Sequence, residues 1–193
     1  MKLLFTGASG FLGSNVRPLL EGMYGVKTVG LSPKDDYTID IAKEIPVLRE
    51  RYDIVLHVAG KAHSVPKTEA ERQVFFDVNL QGTKNLCTAL ERRRVPRAFI
   101  FISTVAVYGC AYGENITEDH PLDGDTPYAM SKRLAEEYLQ KWCYEHNVIL
   151  GIIRPSLIAG PNPPGNLGAM IHGIRSGKYL SIAGGQARKS VLM

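Results

Sequence analysis

The sequence predicts an α/β fold, a doubly wound parallel sheet covered by helices on both faces. Two observations carry this. Short, continuously apolar segments alternate with helical patterns, and the first apolar segment runs directly into a glycine-rich turn that opens a helix. Uninterrupted apolar strands separated by helices imply a parallel sheet buried on both sides. Right-handed crossovers then wind that sheet in both directions from its first strand. Taken in order, strand patterns fit residues 2–6, 26–31, 54–58, 98–103 and 148–153. Helical spacing of apolar residues fits 12–24, 41–51, 67–93, 127–145 and 167–176. One composition shift, Gly160-Pro161-Asn162-Pro163-Pro164-Gly165, reads as a boundary loop where the sheet domain ends.

The composition is that of a globular chain. Its 193 residues are 45% hydrophobic and 22% charged, enough for one full core and a little more. The formal charge of +4 is modest. The run Arg92-Arg93-Arg94 closes a predicted helix, where cations suit the dipole, so it reads as a solvated helix end and not a nucleic-acid patch. Cys87, Cys110 and Cys143 have neither metal-ligand spacing nor a CxxC pair, which predicts reduced thiols, buried or inert, and no metal site. No apolar run approaches the ~20 residues of a membrane span, so no membrane partner is expected and the cytoplasm is the expected compartment.

Two motifs carry chemistry. The first is MKLLFTGASGFLG, with Gly7, Gly10 and Gly13 spaced Gly-x-x-Gly-x-x-Gly between strand and helix. Small residues there let a backbone approach a pyrophosphate, and the helix N-terminus offers free N–H groups and a positive dipole end. In such a sheet the ligand lies beyond the C-terminal ends of the strands, at residues 7–13, 32–34, 59–63, 103–108 and 154–160. The second motif is Tyr128-Ala129-Met130-Ser131-Lys132, which puts Tyr and Lys on one helix face. A phenol with an ordinary pKa near 10 is a poor base, and an adjacent ammonium is expected to lower it. Such a tyrosine exchanges a proton with an alcohol while hydride moves to or from a nicotinamide. Ser103 and Thr104, closing the strand over 98–103, supply hydroxyls to orient the substrate oxygen.

With these residues in view, the chain resembles the extended short-chain dehydrogenase/reductase family, in its NAD-dependent sugar-nucleotide epimerase/dehydratase branch, of the UDP-glucose/UDP-galactose 4-epimerase type. The matching stretches are TGASGFLG (6–13), DIVLHVAGKAH (53–63), NLQGTKNL (79–86), FISTVAVYG (101–109), YAMSK (128–132) and RPSLIAGP (154–161). The resemblance implies a Rossmann-type dinucleotide domain over 1–161 and the start of a truncated substrate-binding region over 162–193. It implies Tyr128 as catalytic base and acid, Lys132 as its activator and ribose contact, and Thr104 as the catalytic hydroxyl. It places Phe11 and Leu12 with the glycines at the pyrophosphate, Ser32 and Lys34 at the adenosine ribose, and Asp40 and Ile41 at the adenine. Val58, Ala59, Gly60 and Lys61 would meet the nicotinamide ribose, Asn79 would help hold the cofactor, Pro155 and Ser156 would flank the nicotinamide, and Ser103 is a further cofactor-binding candidate. His63, Asn166 and Arg188 are the substrate candidates. A homodimer is compatible with the resemblance.

Several residues carry a second reading. Asp40 equally suits a helix N-cap, and Asn79 a satisfied buried amide. His57, inside an apolar strand, reads as a hydrogen-bonded core histidine, and Tyr108 as packing. Three departures from the family pattern matter. The second strand ends Gly30-Leu31-Ser32-Pro33-Lys34, without the acid that usually binds the adenosine ribose, and Lys34 leaves NADP open beside NAD. Val105-Ala106 follow Thr104 where dehydratases of the family carry Asp-Glu, which argues against dehydration. The chain stops at Met193, soon after a substrate domain would begin. The reading that results is a sugar-nucleotide 4-epimerase with NAD. A nicotinamide-dependent reductase of a keto-sugar nucleotide or other carbonyl, and a non-catalytic nucleotide-sensing module, are the alternatives.

Overall fold

The computed structural model describes residues 1–62, 64–110, 112–179 and 190–193. Strands β1 (Lys2–Thr6), β2 (Gly25–Gly30), β3 (Tyr37–Thr38), β4 (Ile54–His57), β5 (Ala98–Ile102) and β6 (Ile149–Ile153) form one sheet in the order β3-β2-β1-β4-β5-β6. Every pairing in it is parallel. The winding direction reverses at β1 and β4, so a crevice opens beyond their C-terminal ends.

The helices are α1 (Phe11–Glu21), α2 (Glu69–Phe76), α3 (Gly82–Glu91), α4 (Pro127–Glu145) and α5 (Gly165–Arg175). Sequence chemistry sets the start of α4: the Thr126 hydroxyl accepts the Ala129 N–H at 3.1 Å, and Pro127 occupies the first turn, where no N–H is needed. One face of the sheet packs Leu4, Val29, Val55, Phe99 and Phe101 against Leu86, Leu139 and Trp142. The other packs Leu3 and Phe5 with Val16 and Leu20 of α1. The doubly wound parallel sheet is therefore as expected.

Two features differ from expectation, and two more lay outside it. Residues 41–51 form no helix. Asp40 caps a short turn there, its Oδ1 accepting the Ala42 N–H at 3.1 Å, and Pro46 then removes a donor and holds Ile45 away from helical geometry. The apolar periodicity of that stretch instead serves irregular burial, since Leu48 and Tyr52 are in the core. The helix expected over 67–93 is interrupted by a π-helical turn, Asp77–Gln81, between α2 and α3. A second, two-stranded parallel sheet joins β7 (Leu157–Ile158) to β8 (Val191–Leu192). Of the three cysteines, Cys87 and Cys143 are buried but Cys110 is exposed, its Sγ 3.1 Å from His120 Nε2. Arg92, Arg93 and Arg94 are exposed at the end of α3, as expected, and Arg93 Nε donates to the Leu48 carbonyl at 2.7 Å. Among the described residues no helix is long and apolar enough to cross a membrane.

Candidate active site

The three glycines of the β1–α1 turn do three different jobs. Gly7 has φ +74°, and a Cβ on it would lie 2.5 Å from the Ala59 nitrogen, so it lets the loop after β4 close on the turn. A Cβ on Gly13 would lie 2.1 Å from the Gly7 carbonyl, so it seats α1 against the turn. Gly10 is exposed and a Cβ there would meet only the Gly7 carbonyl, at 3.3 Å. Gly10 is also the N-cap of α1 and makes no side-chain cap, which leaves the first N–H groups of the helix, those of Phe11 and Leu12 among them, without a capping side chain. The arrangement is a cradle for an anion.

Beyond β4 the loop is held by a directed set of hydrogen bonds. The Thr83 hydroxyl donates to the Asn79 carbonyl at 2.6 Å, so it accepts from His57 Nε2 at 2.9 Å. His57 Nδ1 is then the acceptor of the Thr6 hydroxyl at 2.6 Å, and Thr6 Oγ1 in turn accepts the Ala59 N–H at 3.1 Å. His57 is the core histidine expected: fully enclosed between Phe99 and Phe101, with burial pushing its pKa down to about 3 and Lys132 adding to that. The Val58 N–H bonds to the Thr6 carbonyl at 3.2 Å.

Asn79 lies in the π-helical turn, a distortion that often marks functional sites. Its Oδ1 accepts the Lys61 N–H at 2.8 Å, and its Nδ2 donates to the Lys61 carbonyl at 3.1 Å and to Ser131 Oγ at 2.9 Å. The side chain is thus spent on protein, joining the 59–61 loop to α4. Gly60 is exposed, and a Cβ on it would lie 3.0 Å from Asn79 Oδ1 and 3.6 Å from Lys132 Nζ.

On α4, Tyr128 and Lys132 share a face but part company at their tips. Lys132 Nζ sits 4.0 Å above the Phe101 ring centroid, turned toward Gly60. Burial pushes its ammonium down to about 7 against the pull of Glu136. The Tyr128 ring packs 6.3 Å from Phe75. The expected lowering of the Tyr128 pKa is not what the structure gives: burial raises the phenol, and the Thr104 hydroxyl beside it pulls the other way. Thr104 is buried and caps the following 3₁₀ turn by accepting the Ala106 N–H at 3.2 Å. Next to it, Ser103 Oγ is buried with no hydrogen-bond partner among the described residues. An unpartnered buried hydroxyl at a strand end, an uncapped helix N-terminus and an exposed Gly60 together fit a bound dinucleotide.

The other expected residues fall as follows. Pro155 and Ser156 follow β6, and the Pro155 carbonyl accepts the Val105 N–H at 3.2 Å, tying them to the Thr104 turn. Ser32 and Lys34 lie in the turn after β2, with Lys34 exposed and its N–H on Ser32 Oγ at 3.2 Å. Asp40 makes the turn cap described above, and Ile41 is buried against Gly82 of α3. Asn166 lies in the first turn of α5, and its side chain is outside the described atoms; His63 and Arg188 lie outside the described residues.

Sequence reasoning missed a clamp. Arg154 Nε and Nη2 hold both oxygens of the buried Glu136, one turn beyond Lys132, with Nη2 at 2.6 Å. Arg154 Nη1 also donates to the Tyr108 hydroxyl at 3.0 Å and to the Glu118 carbonyl at 3.1 Å. The signal was present in the Lys132/Glu136 spacing, a carboxylate one turn on along the same helix face.

A family model described as the NAD dependent epimerase/dehydratase family matches residues 3–191. The chain belongs to this family. Among curated relatives, the N-acetyl-alpha-D-glucosaminyl-diphospho-ditrans,octacis-undecaprenol 4-epimerase of Escherichia coli O157:H7 is 31% identical over 197 residues, covering 98% of this chain and 58% of its own. The UDP-glucose 4-epimerase of Vibrio cholerae is 30% identical over 194 residues, covering 91% and 57%. Among solved structures, the UDP-glucose 4-epimerase of Thermus thermophilus in complex with NAD superposes with a TM-score of 0.75 at 28% identity, covering 89% of this chain and 61% of that one. The chain thus spans less than two thirds of the length of these family members.

Proposed function

We propose that this chain is the cofactor-binding and catalytic part of a sugar-nucleotide 4-epimerase that keeps NAD bound and acts on a UDP-linked sugar. The observation that carries the reading is the convergence of Thr104, Tyr128 and the unpartnered Ser103 hydroxyl at the end of β5, beside the buried Lys132. Tyr128 takes the proton of the sugar 4-hydroxyl and returns it after the sugar has turned. Thr104 orients the reacting oxygen. Lys132, held between the Phe101 face and Gly60, bonds the nicotinamide ribose and balances charge as the phenol ionises. The first turn of α1 binds the pyrophosphate through backbone N–H groups. When bound, the nicotinamide would supply a hydride acceptor for the sugar carbon and give the hydride back to the opposite face.

One feature favours epimerisation within the family: Val105 and Ala106 follow Thr104 and offer no carboxylates for eliminating water. The test is Tyr128→Phe in the whole protein, which keeps the ring packing and removes only the hydroxyl. Interconversion of UDP-sugars should fall by about 100-fold or more, with dinucleotide affinity retained. A variant that turns over at the wild-type rate overturns the proton-transfer assignment. A wild-type protein that binds a UDP-sugar but never reduces its nicotinamide overturns the epimerase reading.

A further inference from the structure

We propose that the end of the sheet opposite the candidate active site is a docking surface for an anionic lipid membrane, made by Arg51, Arg92, Arg93, Arg94 and Arg97 around an apolar depression. The sequence keeps these residues apart, and read alone Arg92-Arg93-Arg94 is a solvated helix end. The fold gathers them. Every pairing in the main sheet is parallel, so the segments that lead into β1, β4, β5 and β6 all lie at one end of it. The Arg97 N–H donates to the Asp53 carbonyl at 2.8 Å, the Asp53 N–H to the Lys2 carbonyl at 2.9 Å, and the Ile149 N–H to the Arg97 carbonyl at 3.0 Å. Arg51 enters β4 just ahead of Asp53. The helix α3 delivers Arg92, Arg93 and Arg94 to the same end, where Arg93 Nε donates to the Leu48 carbonyl at 2.7 Å.

All five arginines are exposed, and none forms an ion pair among the described residues. The acids beside them are already engaged. Glu50 pairs with Lys2 Nζ, Asp53 Oδ2 accepts the Lys2 N–H at 2.8 Å, Glu91 Oε1 accepts the Trp142 Nε1–H at 2.6 Å, and Glu145 lies 3.9 Å from Lys141 Nζ. The dipole of α3 suits Arg92, Arg93 and Arg94. Arg51 and Arg97 sit on strand-entry loops, where no helix end calls for a cation. Arg92 and Arg93 edge a cavity of about 230 Å³ whose other walls are Pro46, Val47, Leu48 and Ala89. Val47 is 79% exposed, and Ile149, which opens β6 at the same end, is 73% exposed. Unpaired guanidinium groups suit phosphate headgroups, and exposed aliphatic side chains among them suit the acyl boundary just beneath. A nucleic-acid backbone would use the charges but leave Val47 and Ile149 without a partner. A peripheral contact of this kind needs no spanning helix. It leaves the Gly7–Gly13 turn and Thr104, at the C-terminal ends of their strands, facing away from the lipid.

The experiment is co-sedimentation of the whole protein with vesicles of phosphatidylcholine alone and of phosphatidylcholine with about one third phosphatidylglycerol. Wild type should bind the anionic vesicles only, and binding should weaken about tenfold or more as salt rises from about 0.05 to about 0.5 M. Arg92→Gln should weaken binding about fivefold, and Arg92→Gln/Arg94→Gln/Arg97→Gln about 100-fold, with the melting temperature unchanged because these side chains are exposed. Arg72→Gln, on α2 at the far end of the helical run that closes at Arg92, should match wild type within about twofold. Equal binding to both vesicles, binding to neither, or a triple variant that binds like wild type overturns the proposal. An Arg72→Gln loss as large as that of Arg92→Gln shows net charge acting in place of this surface, and overturns it too. Tighter binding to duplex DNA than to the anionic vesicles at the same salt overturns the lipid partner. The lipid and salt arms read wild type alone and do not depend on how the variants fold.

Discussion

Replacing Arg154 by Met should be among the most damaging single changes in the sheet domain, though Arg154 touches neither Tyr128 nor Lys132 in the structure. The guanidinium side chain is 13% exposed and its partner Glu136 only 1%, so the pair has left water almost entirely. Met fills comparable space but leaves Glu136 a buried carboxylate without its hydrogen-bonded ion pair, facing only the Lys132 ammonium on its own helix, and strips a donor from the Tyr108 hydroxyl and the Glu118 carbonyl. Breaking a buried pair from one side costs about 3–5 kcal/mol, against a total stability of roughly 5–15 kcal/mol for an ordinary domain. Denaturant unfolding should therefore show a large drop in midpoint with little change in slope. The paired variant Arg154→Met/Glu136→Gln removes the charge from both sides. It should recover about 2 kcal/mol or more of the loss, the rest being buried amide and hydroxyl left without full partners. A loss below about 1 kcal/mol for Arg154→Met, or a double variant no more stable than the single one, would refute the claim that these charges are mutually compensating.

Two further outcomes follow from the site. Gly13→Ala forces a methyl to within 2.1 Å of the Gly7 carbonyl and should cost about 1–3 kcal/mol by thermal or denaturant unfolding, whereas Gly10→Ala, with only one contact at 3.3 Å, should fold normally and weaken dinucleotide binding about tenfold or more; equal effects on folding would show that the two glycines are not divided in this way. His57 has its folded pKa lowered from 6.5 to about 3, so the unfolded chain binds the extra proton in that window and stability is lost as pH falls through it. Wild type should lose up to about 1.4 kcal/mol per pH unit more than His57→Gln between roughly pH 6 and 4, and parallel pH curves for the two proteins would show that the ring is not held neutral.

The sheet was legible because burial on both faces leaves no polar alternation in the strands: LLF in β1 and FIF in β5 are apolar whichever way each side chain points. The same logic misled at 41–51. Apolar spacing there reflects Ile41, Leu48 and Tyr52 reaching one core from an irregular path, and Pro46 was the local sign that no helix could run through. β3 has only two residues and no pattern to read. In the site, the Tyr128/Lys132 spacing fixed a common helix face but not where a long side chain ends. Lys132 reaches across to Phe101 and Gly60, and the Tyr128 phenol is governed by burial, a quantity set by distant elements.

The buried polar groups explain why the site can be rigid without a polar core around it. The hydrogen bonds from Ala59 through Thr6, His57 and Thr83 to the Asn79 carbonyl agree with a single His57 tautomer, so no member has to choose between donors. The Asn79 side chain then closes the circuit on Lys61, two residues from where it began, and on Ser131 of α4. The 59–61 loop is therefore gripped at both ends, and the helix carrying Tyr128 and Lys132 is pinned to that loop. This arrangement requires His57 to stay neutral, since a second ring proton would face the Thr6 hydroxyl and force it to turn away. A histidine committed in this way has no lone pair left to accept a substrate proton.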